Sequence, residues 1–485
     1  MFTVSADQVF KCYVRIGSDS DESLSRQLLA RSRFPHVYFL RTFATSGLRV
    51  RLLMSVIVVI GGQWGDEGKG RIVDLLARKA QIVARYSAAN NAGHTIINEL
   101  GEFKLHLVPA GIFYPDKVCI IGNGVVVDPN VLLQEIAELE ERGVEVKNRL
   151  FISDRAHILM PYHKIIEEMD EKLRGKHAIG TTGRGVTPAF ADKVGRSGIR
   201  MADLVDPEAL AATLALRVPY KNLYLEKLYG AKPLAVEAIV SEYSELGAKL
   251  RPYVQDTSDL VQQALKSGET ILLEGAQGSL LDLDFGTYEY VTSSVPSSVA
   301  AGASLGMGIG PTQIDTVLGV YKAYNTRVGA GPMPTELTDD IGDLLREGGP
   351  RPEYGSTTGR PRRCGWFDGV AARFTARING IGAAALTRLD VLDSFPSIQV
   401  CTAYTVDGQI VKTMPANSAA MASAVPVYQE LAGWNADTSE VRKFEDLPAE
   451  AQAYVRFVEE ILEAPICLVS VGPERDQCIS IGGVM

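Results

Sequence analysis

The chain has 485 residues, 46% of them hydrophobic and 22% charged, a soluble globular composition with room for a large core. Its net charge of −9 argues against a general nucleic-acid or anionic-membrane surface, so an anionic ligand must be met by local clusters of Arg and Lys. The six cysteines (Cys12, Cys119, Cys364, Cys401, Cys467, Cys478) form no CxxC pair and no Cys/His metal spacing, which fits a reducing, cytosolic-type compartment, and no run reaches the roughly 18 apolar residues of a membrane span.

Residues 1–53 carry eight Lys/Arg against four Asp/Glu, a balance of +4 that leaves −13 for the remainder. This stretch is basic and contains Ser, but the acidic DSDE at 19–22 does not suit an organelle-targeting peptide. Met54 directly precedes the strand-like SVIVVI, so residues 1–53 are read as an N-terminal extension, disordered or absent from the mature protein, ahead of one domain at 54–485.

From Val56 onward, short apolar runs alternate with helical segments. VIVVI (56–60) is a buried-strand candidate closed by Gly61-Gly62, and RIVDLLARKA (71–80) has helical spacing. KVCIIG (117–122) is a second strand. It leads into a helix with Asp128 as N-cap, Pro129 in the first turn, Leu132, Ile136 and Leu139 on one face, and Gly143 as the stop. DLVQQALKSG (259–268) predicts a helix, ETILLE (269–274) a strand, and GAQGSL a loop. GVAARFTARING (369–380) predicts a helix ahead of strand-like AAALTRLDVLD (383–393). The alternation implies an α/β fold: a large, mostly parallel central sheet with helices on both faces. Ligands in such folds bind beyond the carboxyl ends of the strands, where the glycine-rich segments at 61, 122 and 275 fall.

The first of these, GGQWGDEGKG (61–70), half-matches a Walker A loop. Gly68-Lys69 fits, but Gln63 stands at the first glycine position and Gly70 replaces the metal-binding Ser/Thr. A strand, a glycine-rich turn and a helix N-terminus still offer backbone N–H groups to phosphate, and an ordinary strand-to-helix turn is the alternative. Asp66 suits a magnesium ligand, a general base or, with Glu67, a helix cap. NNAGHT (90–95) places His94 in a small-residue loop where it could serve as an acid or be merely structural. GTTGRG at 180–185, followed by Lys193, Arg196 and Arg200, suits a phosphate monoester or a solvated basic loop. STTGRPRR (356–363) repeats the theme, pointing to two anionic substrates or two parts of one site. Asp390 at the end of TRLD could read a guanine edge or cap a helix.

Taken together, GQWGDEGKG, NAGHT, IGNGVVVDP, GTTGRG with DKVGRSGIR, LLEGAQGSLLDLDFGTYEYVTSS, KAYNTRVGAGPMPTEL, GSTTGRPRR, LTRLDVLD and VSVGPERD resemble the adenylosuccinate synthetase family, in order, over about residues 55–485. The resemblance implies a ligase of purine (AMP) biosynthesis with a P-loop-NTPase-like nucleotide site. It would couple L-aspartate to IMP through 6-phosphoryl-IMP, with GTP as co-substrate, Mg²⁺ as cofactor, a homodimeric assembly and a cytoplasmic location. It further implies that Asp66, His94, Lys69 and Gln277 are catalytic, and that Asp66 and the Gly93 carbonyl hold the metal. IMP would meet Asp66, Asn91, Ala92, Gly93, His94, Thr182, Gln277, Thr292 and Arg360, with Arg196 supplied by the second subunit. Aspartate would meet Thr357, Thr358, Arg360 and Arg362. GTP would meet Gly65, Glu67, Gly68, Lys69, Gly93, His94, Thr95, Arg362, Arg388, Asp390, Ser470 and Gly472.

The sequence departs from the family pattern at Arg388, where lysine is usual, at Pro361 inside the aspartate loop, at GVTP (185–188), and at SSVPSSVAAG (293–302) near the IMP site. Helix capping is the expectation for Glu67. Two other functions are compatible with a nucleotide site of this kind: a GTP-binding regulatory protein without ligase activity, and a paralogue acting on dGMP. The presence of Asp66 and of two separate Arg loops favours the ligase.

Overall fold

The computed structural model describes residues 56–294, 298–355 and 359–482; the expected extension at 1–53 and the aspartate-loop Thr357 and Thr358 lie outside them. Uncharged VIVVIG forms β1 (Val56–Gly61), and the chain re-enters as α1 (Lys69–Ala77), two residues ahead of the predicted start. β2 (Ile82–Arg85) follows, then a hairpin of β3 (His94–Asn98) and β4 (Gly101–Leu105), then β5 (Val118–Ile121). His94 therefore opens a strand instead of lying in a loop, because its backbone pairs with Leu105 across the hairpin.

The predicted helix at 128–143 is α2 (Pro129–Glu141), with Asp128 accepting from the Asn130 and Val131 amides. β6 (Leu150–Ser153), α3 (Val186–Val194), α4 (Pro207–Lys227), β7 (Val254–Gln255) and α5 (Thr257–Lys266) lead to β8 (Ile271–Gly278). The expected loop GAQG is thus the end of a strand. Gly278 pairs with Gly61 in parallel register, after a shift in the ladder between Val59 and Gly61. β9 (Thr316–Lys322), α6 (Gly369–Asn379) and β10 (Ala383–Thr387) complete the centre. The strand predicted over 383–393 stops at Thr387, because Arg388 turns left-handed at φ 62° and residues Leu389–Leu392 form a single 3₁₀ turn. Beyond a small sheet in which β11 (Ser397–Val406) pairs antiparallel with β12 (Val425–Ala432), α7 (Ala449–Leu462) returns the chain to β13 (Ile466–Ser470) and β14 (Cys478–Ser480).

The main sheet has ten strands in the order β14-β13-β10-β9-β1-β8-β2-β5-β6-β7, parallel throughout except for β13–β14. Alternate residues feed opposite faces. Val59, Val83 and Ile121 pack with Ile72 of α1 and Leu132 and Ile136 of α2, while Val58, Ala84 and Leu273 pack with Val261 and Ala264 of α5. The parallel arrangement brings the carboxyl ends of β1, β2, β8, β9, β10 and β13 to one edge, where the 61–70, 275–278 and 387–390 candidate segments lie.

Asp128 links this frame to the site. Fully buried, it also accepts from Asn90 Nδ2 at 3.0 Å and pairs with Lys164 at 2.8 Å. Asp128→Ala removes a cap and a buried acceptor, so urea unfolding should show a loss of about 2 kcal/mol. A change under about 0.5 kcal/mol would mean that the cap does not anchor the 90–95 segment.

Candidate active site

Between β1 and α1 the chain makes a compact turn with Gly65 (φ 87°), Asp66 (59°) and Gly68 (84°) left-handed. Asp tolerates that region better than most residues with a side chain, and the turn leaves Asp66 facing the cavity. Glu67 does not cap the helix: the N-cap is Gly68, with no side-chain hydrogen bond. Its carboxylate is fully buried, accepts the Gln63 and Gly65 amides at 3.0 and 2.9 Å, and pairs with Lys69 Nζ at 2.6 Å. A Cβ on Gly61 or Gly278 would overlap that carboxylate, which gives both glycines a packing reason.

Both Walker A mismatches have physical causes. Gln63 Nε2 donates to Lys322 O at 3.1 Å and its Oε1 accepts from Lys322 N at 2.9 Å, riveting the loop to β9. A Cβ on Gly70 would stand 2.9 Å from His94 Cβ, so the usual Ser/Thr has no room.

His94 is oriented by two residues the sequence reading missed. Its Nδ1 lies 2.5 Å from Glu274 Oε1, on a carboxylate that also receives Ala110 N at 2.9 Å and lies 3.1 Å from Arg85 Nη2. Burial alone would raise the Glu274 pKa, but Arg85 and then His94 hold it at about 2. Burial, reinforced by Arg85, lowers the His94 pKa. A neutral imidazole with Nδ1–H donating to Glu274 leaves Nε2 buried without a protein partner, on a residue that lines the cavity. The available signal was a charged residue closing each of two apolar parallel strands, QIVAR and ILLE.

One cavity of about 410 Å³ collects Gly65, Asp66, Gly68, Lys69, Asn91, Ala92, Gly93, His94, Thr95, Thr182, Gln277, Thr292 and Arg362. Gln277 Oε1 is buried there without a partner. Arg362 Nε donates to Asp66 Oδ2 at 2.9 Å. A smaller cavity of about 120 Å³ shares Gly68, Arg71 and Thr95 with it and adds Arg388, Ser470 and Gly472. Arg71 donates to Ser470 Oγ and Gly472 O, fastening the last strand's loop to α1.

Asp390 lines neither cavity, though its Oδ1 is buried without a hydrogen-bond partner and burial raises its pKa. Arg360 also lies outside the cavities, but its Nη1 reaches Gly180 O at 3.3 Å. Of the basic run, Arg184 donates to Asn90 O and Lys193 to Asn123 O, while Arg196 and Arg200 are exposed and remote from the cavity lining.

A parallel sheet whose carboxyl edge gathers a glycine-rich anion loop, a buried lysine, a carboxylate and an imidazole with a free nitrogen defines a nucleotide-dependent phosphoryl-transfer enzyme. The adenylosuccinate synthetase family model matches residues 58–479. Adenylosuccinate synthetases from Heliobacterium modesticaldum and Synechococcus elongatus are each 52% identical, over 88% of this chain and 99% and 95% of theirs. The fully ligated Plasmodium falciparum adenylosuccinate synthetase superimposes with a TM-score of 0.82 at 36% identity, covering 88% of this chain and 100% of that one. Cyanophage S-2L succinoaminodeoxyadenylate synthetase, bound to dGMP and dATP, shares the fold at a TM-score of 0.56 and 20% identity. The chain belongs to the adenylosuccinate synthetase family.

Burial also lowers the pKa of His106 and His163, and that of His157 to about 4. With His94, four histidines are neutral in the fold at pH values where the unfolded chain, with pKa about 6.5, takes up protons. Their contribution to stability is present above pH 6.5 and is lost as pH falls. Unfolding free energy should therefore decrease from pH 6.5 to 5 by up to about 1.4 kcal/mol per pH unit per proton. His157→Asn should flatten that slope; a flat wild-type profile would contradict the assignment.

Proposed function

We propose that this chain catalyses the GTP-dependent ligation of L-aspartate to IMP, giving adenylosuccinate, GDP and phosphate in the step that commits IMP to AMP. The observation that carries the reading is the convergence of Asp66, Lys69, the Nε2 of His94 and Gln277 on one cavity. In the same proposal, Asp66 accepts the N1 proton of IMP, raising electron density on O6, which attacks the γ-phosphorus of GTP. The P-O bond to GDP breaks and 6-phosphoryl-IMP forms. The amine of aspartate then attacks C6 and phosphate leaves.

Lys69 and the loop amides neutralise phosphate charge, and His94 donates from Nε2 to the transferring phosphoryl, drawing on a proton that the anion itself stabilises. Gln277, with a buried unpartnered oxygen, orients IMP together with Asn91, Thr182 and Thr292. Arg362, with Arg360, Thr357 and Thr358, takes the carboxylates of aspartate. Arg388, Ser470 and Gly472 hold the guanine, and the unpartnered Oδ1 of Asp390 reads its donor edge.

Magnesium fits a hard-oxygen donor set, and Asp66 with the Gly93 carbonyl, both on the cavity wall, would hold it. No group of three His, Cys, Asp or Glu side chains among the described residues could hold a metal, so the remaining ligands would be phosphate oxygens and water. When bound, the ion supplies positive charge to the phosphates.

Residues 54–485 are proposed as a single catalytic domain behind the 1–53 extension, working as a cytoplasmic homodimer. Among the described residues no helix is long and apolar enough to cross a membrane. The dimer is supported by Arg196, exposed outside its own cavity, and by the exposed Leu216, Tyr220 and Leu223 of α4 beside Arg217, which donates to Arg196 O. A regulatory GTP-binding role leaves the second Arg loop unused, and a dGMP-specific role leaves Asp66 unused.

Protein mixed with IMP, GTP, Mg²⁺ and aspartate should produce the ultraviolet absorbance of adenylosuccinate, and equal turnover with dGMP would overturn the IMP assignment. Asp66→Ala should reduce turnover by about 10³-fold or more, while calorimetric GTP affinity stays within about tenfold of wild type. Retained turnover in that variant would remove Asp66 as the base.

A further inference from the structure

Glu353 belongs to none of the motifs above and lines neither cavity. It is nonetheless 1% exposed and meets four groups from three parts of the chain. Oε1 accepts from Lys322 Nζ at 3.0 Å and Tyr324 OH at 2.5 Å, Oε2 from Arg362 Nη1 at 2.5 Å, and Arg388 Nη2 stands 3.6 Å from Oε1. Its backbone is fixed as well, with Glu353 N donating to Arg346 O at 2.7 Å and Arg362 N donating to Glu353 O at 2.8 Å.

Arg362 has its Nε on Asp66 at the phosphoryl-transfer end. Arg388 lines the smaller cavity, where its Nη2 donates to Gly348 O at 3.3 Å and Arg351 O at 2.8 Å. Through that one guanidinium nitrogen Arg388 meets two backbone carbonyls and stands beside Glu353.

Lys322, Arg362 and Arg388 all face Glu353, with Asp66 beside Arg362 and Asp390 near Arg388, so three cations share three carboxylates and Glu353 is the one common to all. Burial raises the Glu353 pKa, but Lys322, then Arg388 and Arg362, hold it well below the usual carboxylate range.

We propose that Glu353 is a positioning residue that holds Arg362 and Arg388, one at each end of the nucleotide site, in the geometry that receives aspartate and GTP. This rests on the ligase reading above. Without the Glu353 charge, Arg362 retains only Asp66 as a carboxylate partner and loses the second anchor that aims its guanidinium at substrate. Arg388 loses its Glu353 partner in the same change and keeps the Gly348 and Arg351 carbonyls. The residues proposed for IMP, among them Asn91, Thr182 and Gln277, do not touch Glu353.

The test is steady-state kinetics of Glu353→Gln, which preserves shape and removes charge. The KM for aspartate should rise at least about tenfold and that for GTP at least about threefold, with the KM for IMP within about twofold. Because the single variant leaves Lys322 buried and unpaired, Lys322→Met/Glu353→Gln is measured beside it; this neutral pair should fold and show the same split. Arg388→Lys should raise the GTP KM in wild type and add nothing in the Glu353→Gln background.

Folded variants in which all three KM values move together, or none moves, would overturn the proposal, as would additive effects of the two substitutions. Failure of the wild-type protein to form adenylosuccinate would instead overturn the ligase reading.

Discussion

Burying a carboxylate costs several kcal/mol unless its lone pairs are met and its charge is answered. Glu67 satisfies both conditions at the centre of the anion loop, by accepting two loop amides and pairing with Lys69. The rest of the site is arranged around that side chain. Gly61 and Gly278 are glycines because the carboxylate occupies the space of their Cβ atoms, and the two residues pair there just past the shift in the β1–β8 ladder. Lys69 is already partnered in the loop proposed to receive phosphate, so that its long side chain loses little further freedom on binding. Thr387 Oγ1 donates to the Glu67 carbonyl at 2.6 Å, carrying the same tether to β10. An acid in this loop is then no contradiction: its charge is answered inside the loop by Lys69 and two amides.

The same device recurs. Glu274 takes Arg85 and His94, and Glu353 takes Lys322 and Arg362; each carboxylate is buried at a strand end or beside one and fixes a cationic or proton-carrying group that faces the cavity. In a protein with a net charge of −9, the local cations at this edge, Lys69, Lys322 and Arg362, are each held by an internal carboxylate. Rigidity follows from the arrangement, since each cation is tied before substrate binds.

How much of this was legible in the sequence depended on distance along the chain. Periodicity and end signals found β1, α1, α2, α5 and α6, and Asp128 caps α2 as its spacing required. The glycines of GAQG hid the end of β8, because glycine has little intrinsic strand preference; they are strand residues there because two backbones and a carboxylate crowd together. His94 was legible as a candidate, but not its hydrogen bond to Glu274, 180 residues away. Gln63 registered as a failed motif position, although its amide ties the loop to β9. Glu353 carried no local signal at all. Hydrophobic period reports which face of an element is buried; it does not report which buried charges find one another across a sheet edge.

The central claim is that the oxygen on C6 of IMP is the nucleophile, activated by Asp66 and received by the Lys69–Glu67 loop. Isotope transfer measures this directly. With ¹⁸O placed on C6 of IMP and unlabelled water, the phosphate released during adenylosuccinate formation should carry one ¹⁸O per turnover. Phosphate free of label would show that the oxygen never attacked phosphorus, and would contradict the account.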